Sequence, residues 1–235
     1  MLLSCYCYCH FHCYPCVFIV NVIVPTECRE PADLVFAIDS SGSIGSENYQ
    51  KVLDYARDIV AGMRIGDEMS RYQSRVGLLT FSDQPRVIFN LNDYNNKYDI
   101  LNAFTPHYTR GGTGTAEALR MVRERMFTPT AGDHRSVRNI LVVITDGKSR
   151  NETATWREAR LTREAGIVIL VVGIGKLVKE KELDDMATNG LNTGKRNYWI
   201  AESFSRLRSI KYQLTSAVCN SKLAHVLPPW WDGAN

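Results

Sequence analysis

Short, almost wholly apolar runs alternate along this chain with longer segments in which apolar residues recur every three or four positions. The runs are typical of buried strands, and the longer segments are typical of amphipathic helices. We predict strands at 33–39, 75–81, 86–91, 139–146, 167–172 and 198–200, and helices at 46–63, 96–104, 113–127, 155–165, 178–188 and 203–219. This alternation predicts an α/β fold with a doubly wound, mostly parallel sheet and helices on both faces.

Two local signals refine the predicted sheet and its first helix. The short polar loop 82–85, which ends in Pro85, separates the second and third strands and indicates a hairpin. One edge strand is therefore expected to run antiparallel to its neighbour. Ser46 is expected to cap the first helix, because serine often occupies that position.

Hydroxyl and carboxylate side chains stand where several of these elements begin or end. Asp39, Ser41 and Ser43 follow the first strand, which is a continuous apolar run. Thr113 lies in a glycine-rich loop before a helix, and Asp146 ends a second buried strand. Ligands of open α/β sheets bind at the carboxyl ends of strands. Because all five side chains offer hard oxygen atoms, the sequence predicts a site for Mg²⁺, Ca²⁺ or Mn²⁺.

The order of these motifs, DxSxS, then a GGT loop, then a strand ending in TDG, resembles the von Willebrand factor A (vWA) domain family. The resemblance implies a Rossmann-like vWA fold and a metal-ion-dependent adhesion site (MIDAS) at the five residues. It implies that Ser41, Ser43 and, in the ligand-bound state, Thr113 touch the metal, while Asp39 and Asp146 act mostly through water. Mg²⁺ suits such a mixed shell because it readily keeps waters, with Mn²⁺ or Ca²⁺ as alternatives.

Within that family the chain is most similar to the vWA domains of matrilins and of collagens that carry them. That resemblance implies a secreted, non-enzymatic module of the extracellular matrix. Its expected partner is an extracellular protein, such as collagen or another matrix or cell-surface protein, that supplies an acidic residue to the metal. Some family members shift their last helix on binding. We expect a modest or absent shift here, because a disulfide at that helix would limit it.

Other interpretations of the same residues fit less well. Ser41 and Ser43 could simply cap the following helix, but this leaves Thr113 and Asp146 without a role. A phosphate-binding P-loop before Lys148 would need a glycine where Val142 stands. Phosphatases that form an aspartyl-phosphate resemble DxDx[TV], and Ser41 replaces their second aspartate. His107 is the nearest candidate for a hydrolase base, although a surface loop histidine is the simpler interpretation.

The charge pattern narrows the class of partner. The formal net charge is +3, and acidic and basic residues are interleaved along the chain. Such a pattern is typical of a solvated protein surface. We therefore expect no nucleic-acid partner. Because the catalytic motifs considered above do not match, we also expect no small-molecule substrate.

The cysteines divide the chain into three parts. Five of the seven lie within residues 1–16, and we interpret residues 1–25 as a signal peptide, although no basic segment begins it. The alternatives for this segment are a zinc cluster with His10 and His12, or a misassigned gene start.

If residues 1–25 are removed, Cys28 and Cys219 bracket the domain at 28–219, and such a pair fits a disulfide formed in an oxidising compartment. Residues 220–235 are predicted to be a tail or linker.

One sequon, Asn151-Glu152-Thr153, follows the predicted metal site. It predicts N-glycosylation of Asn151, which agrees with secretion into the extracellular matrix. The alternative is an intracellular vWA scaffold domain in a multiprotein complex. In that case Cys28 and Cys219 would be free thiols and Asn151 would carry no sugar.

Overall fold

The computed structural model describes residues 31–65, 73–134, 136–189 and 196–219. The predicted signal peptide at 1–25, Cys28 and the predicted tail at 220–235 lie outside these residues. Within the described part, no helix is both long enough and apolar enough to span a bilayer.

Six strands form one sheet in the order β3-β2-β1-β4-β5-β6. Five neighbouring strands run parallel, and only the β2–β3 pair is antiparallel. The predicted fold class, with one antiparallel edge strand, is therefore confirmed. The strands are β1 (Ala32–Asp39), β2 (Arg75–Phe81), β3 (Pro85–Phe89), β4 (Arg138–Thr145), β5 (Val168–Ile174) and β6 (Tyr198–Ala201).

Helices cover both faces of the sheet. Alternate residues of β1 face opposite sides: Leu34 and Phe36 pack in one hydrophobic cluster, and Val35 and Ala37 pack in the other. The first cluster includes residues of α1, α2 and α6, and the second includes residues of α3, α4 and α5. The helices are α1 (Ser46–Ala61), α2 (Lys97–Ala103), α3 (Thr115–Met121), α4 (Glu152–Glu164), α5 (Glu180–Met186) and α6 (Lys211–Cys219).

Three helix predictions need correction. Ser46 does not cap α1: it is the first helical residue, and Gly45 precedes it with a φ of 73° that favours glycine. The predicted helix 113–127 begins only at Thr115, because Gly114 has a non-helical ψ of 58° and is held by the hydrogen bond from its N–H to the Ser82 carbonyl (2.7 Å). It continues beyond α3 as one π-helical turn, Val122–Met126. The predicted last helix is a 3₁₀ segment, Phe204–Ile210, followed by α6.

The chain order places a switch point between β1 and β4. From β1 the chain builds outward through β2 to β3, whereas β4, β5 and β6 extend the sheet in the other direction. Loops that leave the carboxyl ends of β1 and β4 therefore diverge and leave a crevice between them. Ligands of open α/β sheets bind at such a crevice.

Candidate functional site

Two buried carboxylates lie side by side at this switch point. Asp39 is the last residue of β1, and Asp146 directly follows β4. The two strands pair in parallel up to Ile38 opposite Ile144, so both carboxylates reach the same edge of the sheet. Asp39 is 0% exposed and Asp146 is 5% exposed. The pairing of β1 with β4, across about a hundred residues of sequence, brings them together.

Ser41 and Ser43 connect these carboxylates through one backbone N–H and two hydroxyls. The N–H of Ser41 donates to Asp39 Oδ1 (2.8 Å). The Oγ atoms of Ser41 and Ser43 lie 3.1 Å apart, and Ser43 Oγ donates to Asp146 Oδ1 (2.8 Å). Four of the five predicted site residues thus form one continuous chain of hydrogen bonds.

Thr113, the fifth residue, lies beside this chain but is tied to it through the backbone. The N–H of Gly42 donates to the carbonyl of Gly111 (2.9 Å), which joins the serine loop to the glycine-rich loop. The carbonyl of Thr113 accepts from the N–H of Arg150 (2.9 Å). Within the described residues the Thr113 hydroxyl makes no hydrogen bond, and the residue is partly exposed. Its hydroxyl is therefore available to a ligand.

The glycine-rich loop holds its position through contacts that need glycine. Gly111 has a φ of 100°, and a Cβ atom there would lie 2.5 Å from Asp83 Oδ2. A Cβ on Gly114 would lie 2.8 Å from the carbonyl oxygen of Ser82. The N–H of Gly112 donates to Asp83 Oδ1 (3.0 Å). The loop is thus fixed against the turn between β2 and β3.

Burial raises the pKa of both carboxylates. The pKa of Asp39 is raised to about 6, mainly by desolvation, although hydrogen bonds from Thr145 and Ser41 oppose the shift. Desolvation also raises the pKa of Asp146, opposed by the hydrogen bond from Ser43. No lysine or arginine of the described chain forms an ion pair with either group. A bound cation would favour the charged form of both.

The donor set fits a hard divalent cation. Two carboxylates and two serine hydroxyls meet at one crevice, Thr113 lies in the adjoining loop, and all five side chains offer the oxygen atoms that Mg²⁺ and Ca²⁺ prefer. A serine hydroxyl has one hydrogen and two lone pairs, so the hydrogen bond from Ser43 to Asp146 leaves its oxygen able to bind a cation. The residues present therefore fit the predicted metal.

Several residues that support the site had no role in the sequence-based prediction. Thr145 Oγ1 donates to Asp39 Oδ2 (2.7 Å). The hydroxyl of Tyr108 donates to the carbonyl of Ser41 (2.8 Å) and accepts from the N–H of Gly45 (3.2 Å). Thr145 was visible within the TDG motif, whereas nothing in the sequence connects Tyr108 with the serine loop.

Arg150 joins the loops around the site. Its Nη2 lies 3.2 Å from Glu117 Oε1 on α3 and its Nη1 lies 3.4 Å from Asp83 Oδ1. Its guanidinium is about half exposed, so solvent screens both ion pairs. Together with its backbone bond to Thr113, Arg150 connects the loop after β4 to both neighbouring loops.

The remaining predicted residues lie around this crevice or outside the described part. Asn151 is exposed at the start of α4, where its Oδ1 accepts from the N–H of Ala154 (3.0 Å). Cys219 is disulfide-bonded, but its partner lies outside the described residues, so the pairing with Cys28 stays a prediction. His107 is exposed and lines a shallow cavity with Arg86 and Thr109.

Comparison with known proteins decides the family. The model of the von Willebrand factor type A domain matches residues 33–213. The chain belongs to this family. The vWA domain is 35% identical over 200 residues to the human collagen alpha-6(VI) chain, covering 83% of this chain and 8% of the collagen. It is 31% identical over 200 residues to mouse matrilin-2, covering 83% of this chain and 20% of the matrilin.

A solved structure shows the same fold. The vWA domain matches proximal thread matrix protein 1 from the mussel byssus, whose MIDAS motif is occupied by zinc, with a TM-score of 0.76 and 28% identity. The match covers 82% of this chain and 49% of that structure. The vWA domain therefore spans a fifth or less of the two curated relatives and about half of the mussel protein.

These comparisons bear on the expected class of function. The relatives are a collagen and a matrilin, and human integrin alpha-X is also 28% identical over 199 residues, covering 82% of this chain and 16% of the integrin. They are matrix and adhesion proteins rather than enzymes. The expectation of a non-enzymatic binding domain related to matrix proteins is confirmed.

Proposed function

We propose that this vWA domain is a secreted adhesion module of the extracellular matrix that binds another protein through a divalent cation. The cation is held by Asp39, Ser41, Ser43, Thr113 and Asp146. One observation carries the proposal: two buried carboxylates at adjacent strand ends are joined through the Ser41 N–H and the hydroxyls of Ser41 and Ser43, and they form no ion pair within the described chain. The zinc in the MIDAS motif of the mussel relative supports a cation at such a site.

Each residue type has a distinct part in this proposal. Ser41 and Ser43 bind the ion through their hydroxyl oxygens, and Asp39 and Asp146 act mostly through water. Thr113, whose hydroxyl makes no hydrogen bond within the described residues, joins when a partner is bound. We propose Mg²⁺ as the ion, with Mn²⁺ or Ca²⁺ as alternatives, because every donor is a hard oxygen.

The proposed partner supplies a carboxylate. Neutral hydroxyl oxygens bind the cation directly and the two carboxylates act mostly through water, so the cation keeps an attraction for a further anion in a partly dehydrated crevice. Ser43 is exposed and Thr113 is partly exposed, so a protein surface can reach this edge. The relationship to collagen VI and matrilin-2 favours collagen or another matrix or cell-surface protein as the partner.

The proposal also includes secretion of the domain from the cell. The kinship with matrix proteins supports an extracellular location. We therefore retain the proposed signal peptide at 1–25, the domain at 28–219, the Cys28–Cys219 disulfide and the glycan on Asn151. Mass spectrometry of the secreted protein tests the last two, because an intracellular scaffold would show free thiols and an unmodified Asn151.

Calorimetric titration of Mg²⁺, Mn²⁺ and Zn²⁺ into the metal-stripped chain tests the metal site. We expect saturable binding that is lost in Asp146→Ala. Glu47→Gln is the matched control, because it removes an exposed carboxylate on α1 outside the site. Binding to a panel of collagens and matrix proteins is then measured in Mg²⁺ and in EDTA. Unchanged metal binding by Asp146→Ala would refute the site, and partner binding that persists in EDTA would refute the mechanism.

A further inference from the structure

The opposite end of the sheet contains a second group of buried polar side chains. Arg75, Asp33 and Asn139 are direct neighbours across β2, β1 and β4. Their side chains lie on the same face of the sheet as Val35 and Leu141, which follow Asp33 and Asn139 by two positions along β1 and β4. The loop that precedes β4 lies against this corner, because the N–H of His134 donates to Asp33 Oδ2 (2.7 Å).

Three oxygen atoms in this corner are buried without a hydrogen-bond partner among the described residues. They are the Oδ1 atoms of Asp33, Asp133 and Asn139. Asp33 is 0% exposed as a whole residue. A buried acceptor that makes no hydrogen bond costs about 1–3 kcal/mol, and a charged one costs more. Asp33 lies opposite Asn139 in the sheet and accepts a hydrogen bond from the residue after Asp133, so one partner bound in this corner would serve all three atoms.

Among the described residues, one guanidinium lies close to this corner. The guanidinium of Arg75 is near, but its Nη1 donates to the carbonyl of Gly132. Burial raises the pKa of Asp33 to about 7, and the negative charge of Asp133 adds to that shift, although Arg75 and the hydrogen bond from His134 oppose it. Within the described part of the chain, the Asp33 and Asp133 carboxylates therefore share the Arg75 guanidinium, and further positive charge would be stabilising.

We propose that Asp33, Asp133 and Asn139 bind a calcium ion at the base of the domain, at the end of the sheet opposite the MIDAS. Carboxylate and amide oxygens are typical calcium ligands, and backbone carbonyls of the described loop residues 131–134 can complete the shell. Calcium fits better than magnesium, because Mg²⁺ demands a near-ideal octahedron and keeps several waters, which a buried corner does not favour.

This corner differs in composition from the usual metal clusters. The described residues contain no group of three or more His, Cys, Asp or Glu side chains suited to a metal. Here the third oxygen belongs to the amide of Asn139. The ligands come from the start of β1, the loop before β4 and the start of β4. The ion would therefore join segments about a hundred residues apart and stabilise the folded domain.

Thermal unfolding of the whole chain, followed by circular dichroism, tests the proposal. The measurements use an Asp146→Ala background, so that the MIDAS does not contribute. At a calcium concentration about 100 times its Kd, we expect the unfolding midpoint to rise by about 5–10 °C over the value in EDTA. Mg²⁺ at the same concentration should give a much smaller rise.

Variants of the three proposed ligands then test whether the calcium-dependent rise in the midpoint comes from this corner. Asp133→Ala and Asn139→Ala should abolish the calcium-dependent rise, and Asp93→Asn, which alters a loop carboxylate elsewhere, should leave it intact. Asp33→Asn serves as a control for folding, because it removes a buried charge without shortening the side chain. Its unfolding midpoint in EDTA should equal or exceed that of the parent protein, and the rise with calcium should be lost. The proposal is overturned if calcium does not shift the midpoint, or if the shift survives in Asp133→Ala. The three oxygens would then be satisfied by buried water.

Discussion

The hydroxyl of Thr145, the last residue of β4, donates to Oδ2 of Asp39, the last residue of β1, over 2.7 Å. Both residues are almost fully buried. This bond fixes the Asp39 carboxylate so that Oδ1 is left to accept from the N–H of Ser41. A contact between neighbouring strand ends therefore orients the first carboxylate of the proposed metal site.

Replacing Thr145 by valine tests that contact. Thr145→Val keeps the shape but leaves Asp39 Oδ2 buried with one hydrogen bond fewer, so we expect a loss of about 1–3 kcal/mol in the free energy of unfolding. It should also raise the pKa of Asp39 further and weaken Mg²⁺ binding. Thr145→Ser restores the hydroxyl and should recover both. Urea denaturation and calorimetry measure the two effects, and equal Mg²⁺ affinity in wild type and Thr145→Val would contradict the orienting role.

Replacing Thr113 should weaken partner binding without changing the stability of the fold. Because its hydroxyl makes no hydrogen bond within the described residues, Thr113→Ala should change the free energy of unfolding by less than about 0.5 kcal/mol. Affinity for a matrix partner in Mg²⁺ should fall at least about tenfold, whereas Thr113→Ser should retain it. Surface plasmon resonance measures the affinity. If Thr113→Ala binds the partner as tightly as wild type, Thr113 is not part of the liganded site.

The stability of the metal-free protein should fall as pH rises. The pKa of Asp39 is about 6 in the folded state, whereas an aspartate in an unfolded chain has a pKa of about 3.9, so the native state holds more protons than the unfolded state between these values. The free energy of unfolding then decreases from pH 4 to pH 6, by up to about 3 kcal/mol from Asp39 alone, and levels off above. Asp33, whose pKa is about 7, acts in the same direction.

Denaturation in EDTA across this pH range measures the effect. Asp39→Asn should remove the part of the slope that Asp39 contributes and leave the part from Asp33. Excess Mg²⁺ should reduce the slope in wild type, because a cation favours the ionised carboxylates. A wild-type slope in EDTA that matches that of Asp39→Asn would mean that Asp39 titrates normally.

Asn151 has two separable roles, as the helix cap that the structure shows and as the predicted glycan acceptor. Its Oδ1 accepts from the N–H of Ala154 at the start of α4, and glycosylation at Nδ2 leaves that oxygen free. Asn151→Asp should therefore remove the glycan and keep the cap, whereas Asn151→Ala should also cost about 1 kcal/mol in the free energy of unfolding. Gel mobility with and without glycosidase reports the glycan. Equal mobility for wild type and Asn151→Asp would refute the modification.

The sequence predicted most of the strands well and the helix ends less well. The buried strands were visible because their runs are apolar on both faces, as parallel strands covered by helices must be. The start of α3 was misplaced because Gly114 bonds to the Ser82 carbonyl, in a loop about 30 residues earlier. The π-helical turn Val122–Met126 had no local signal, because its residues also fit an ordinary helix.

The sequence by itself determined the fold class and the candidate site residues, because apolar periodicity and the ordered motifs around Asp39, Thr113 and Asp146 are local in the chain. Only the tertiary structure decided how these residues meet. The pairing of β1 with β4 sets the two carboxylates side by side, and Tyr108 and Arg150 brace the loops from distant positions. The buried corner of Asp33, Asp133 and Asn139 also exists only in three dimensions. Burial and hydrogen bonding between distant residues depend on packing, which no local pattern encodes.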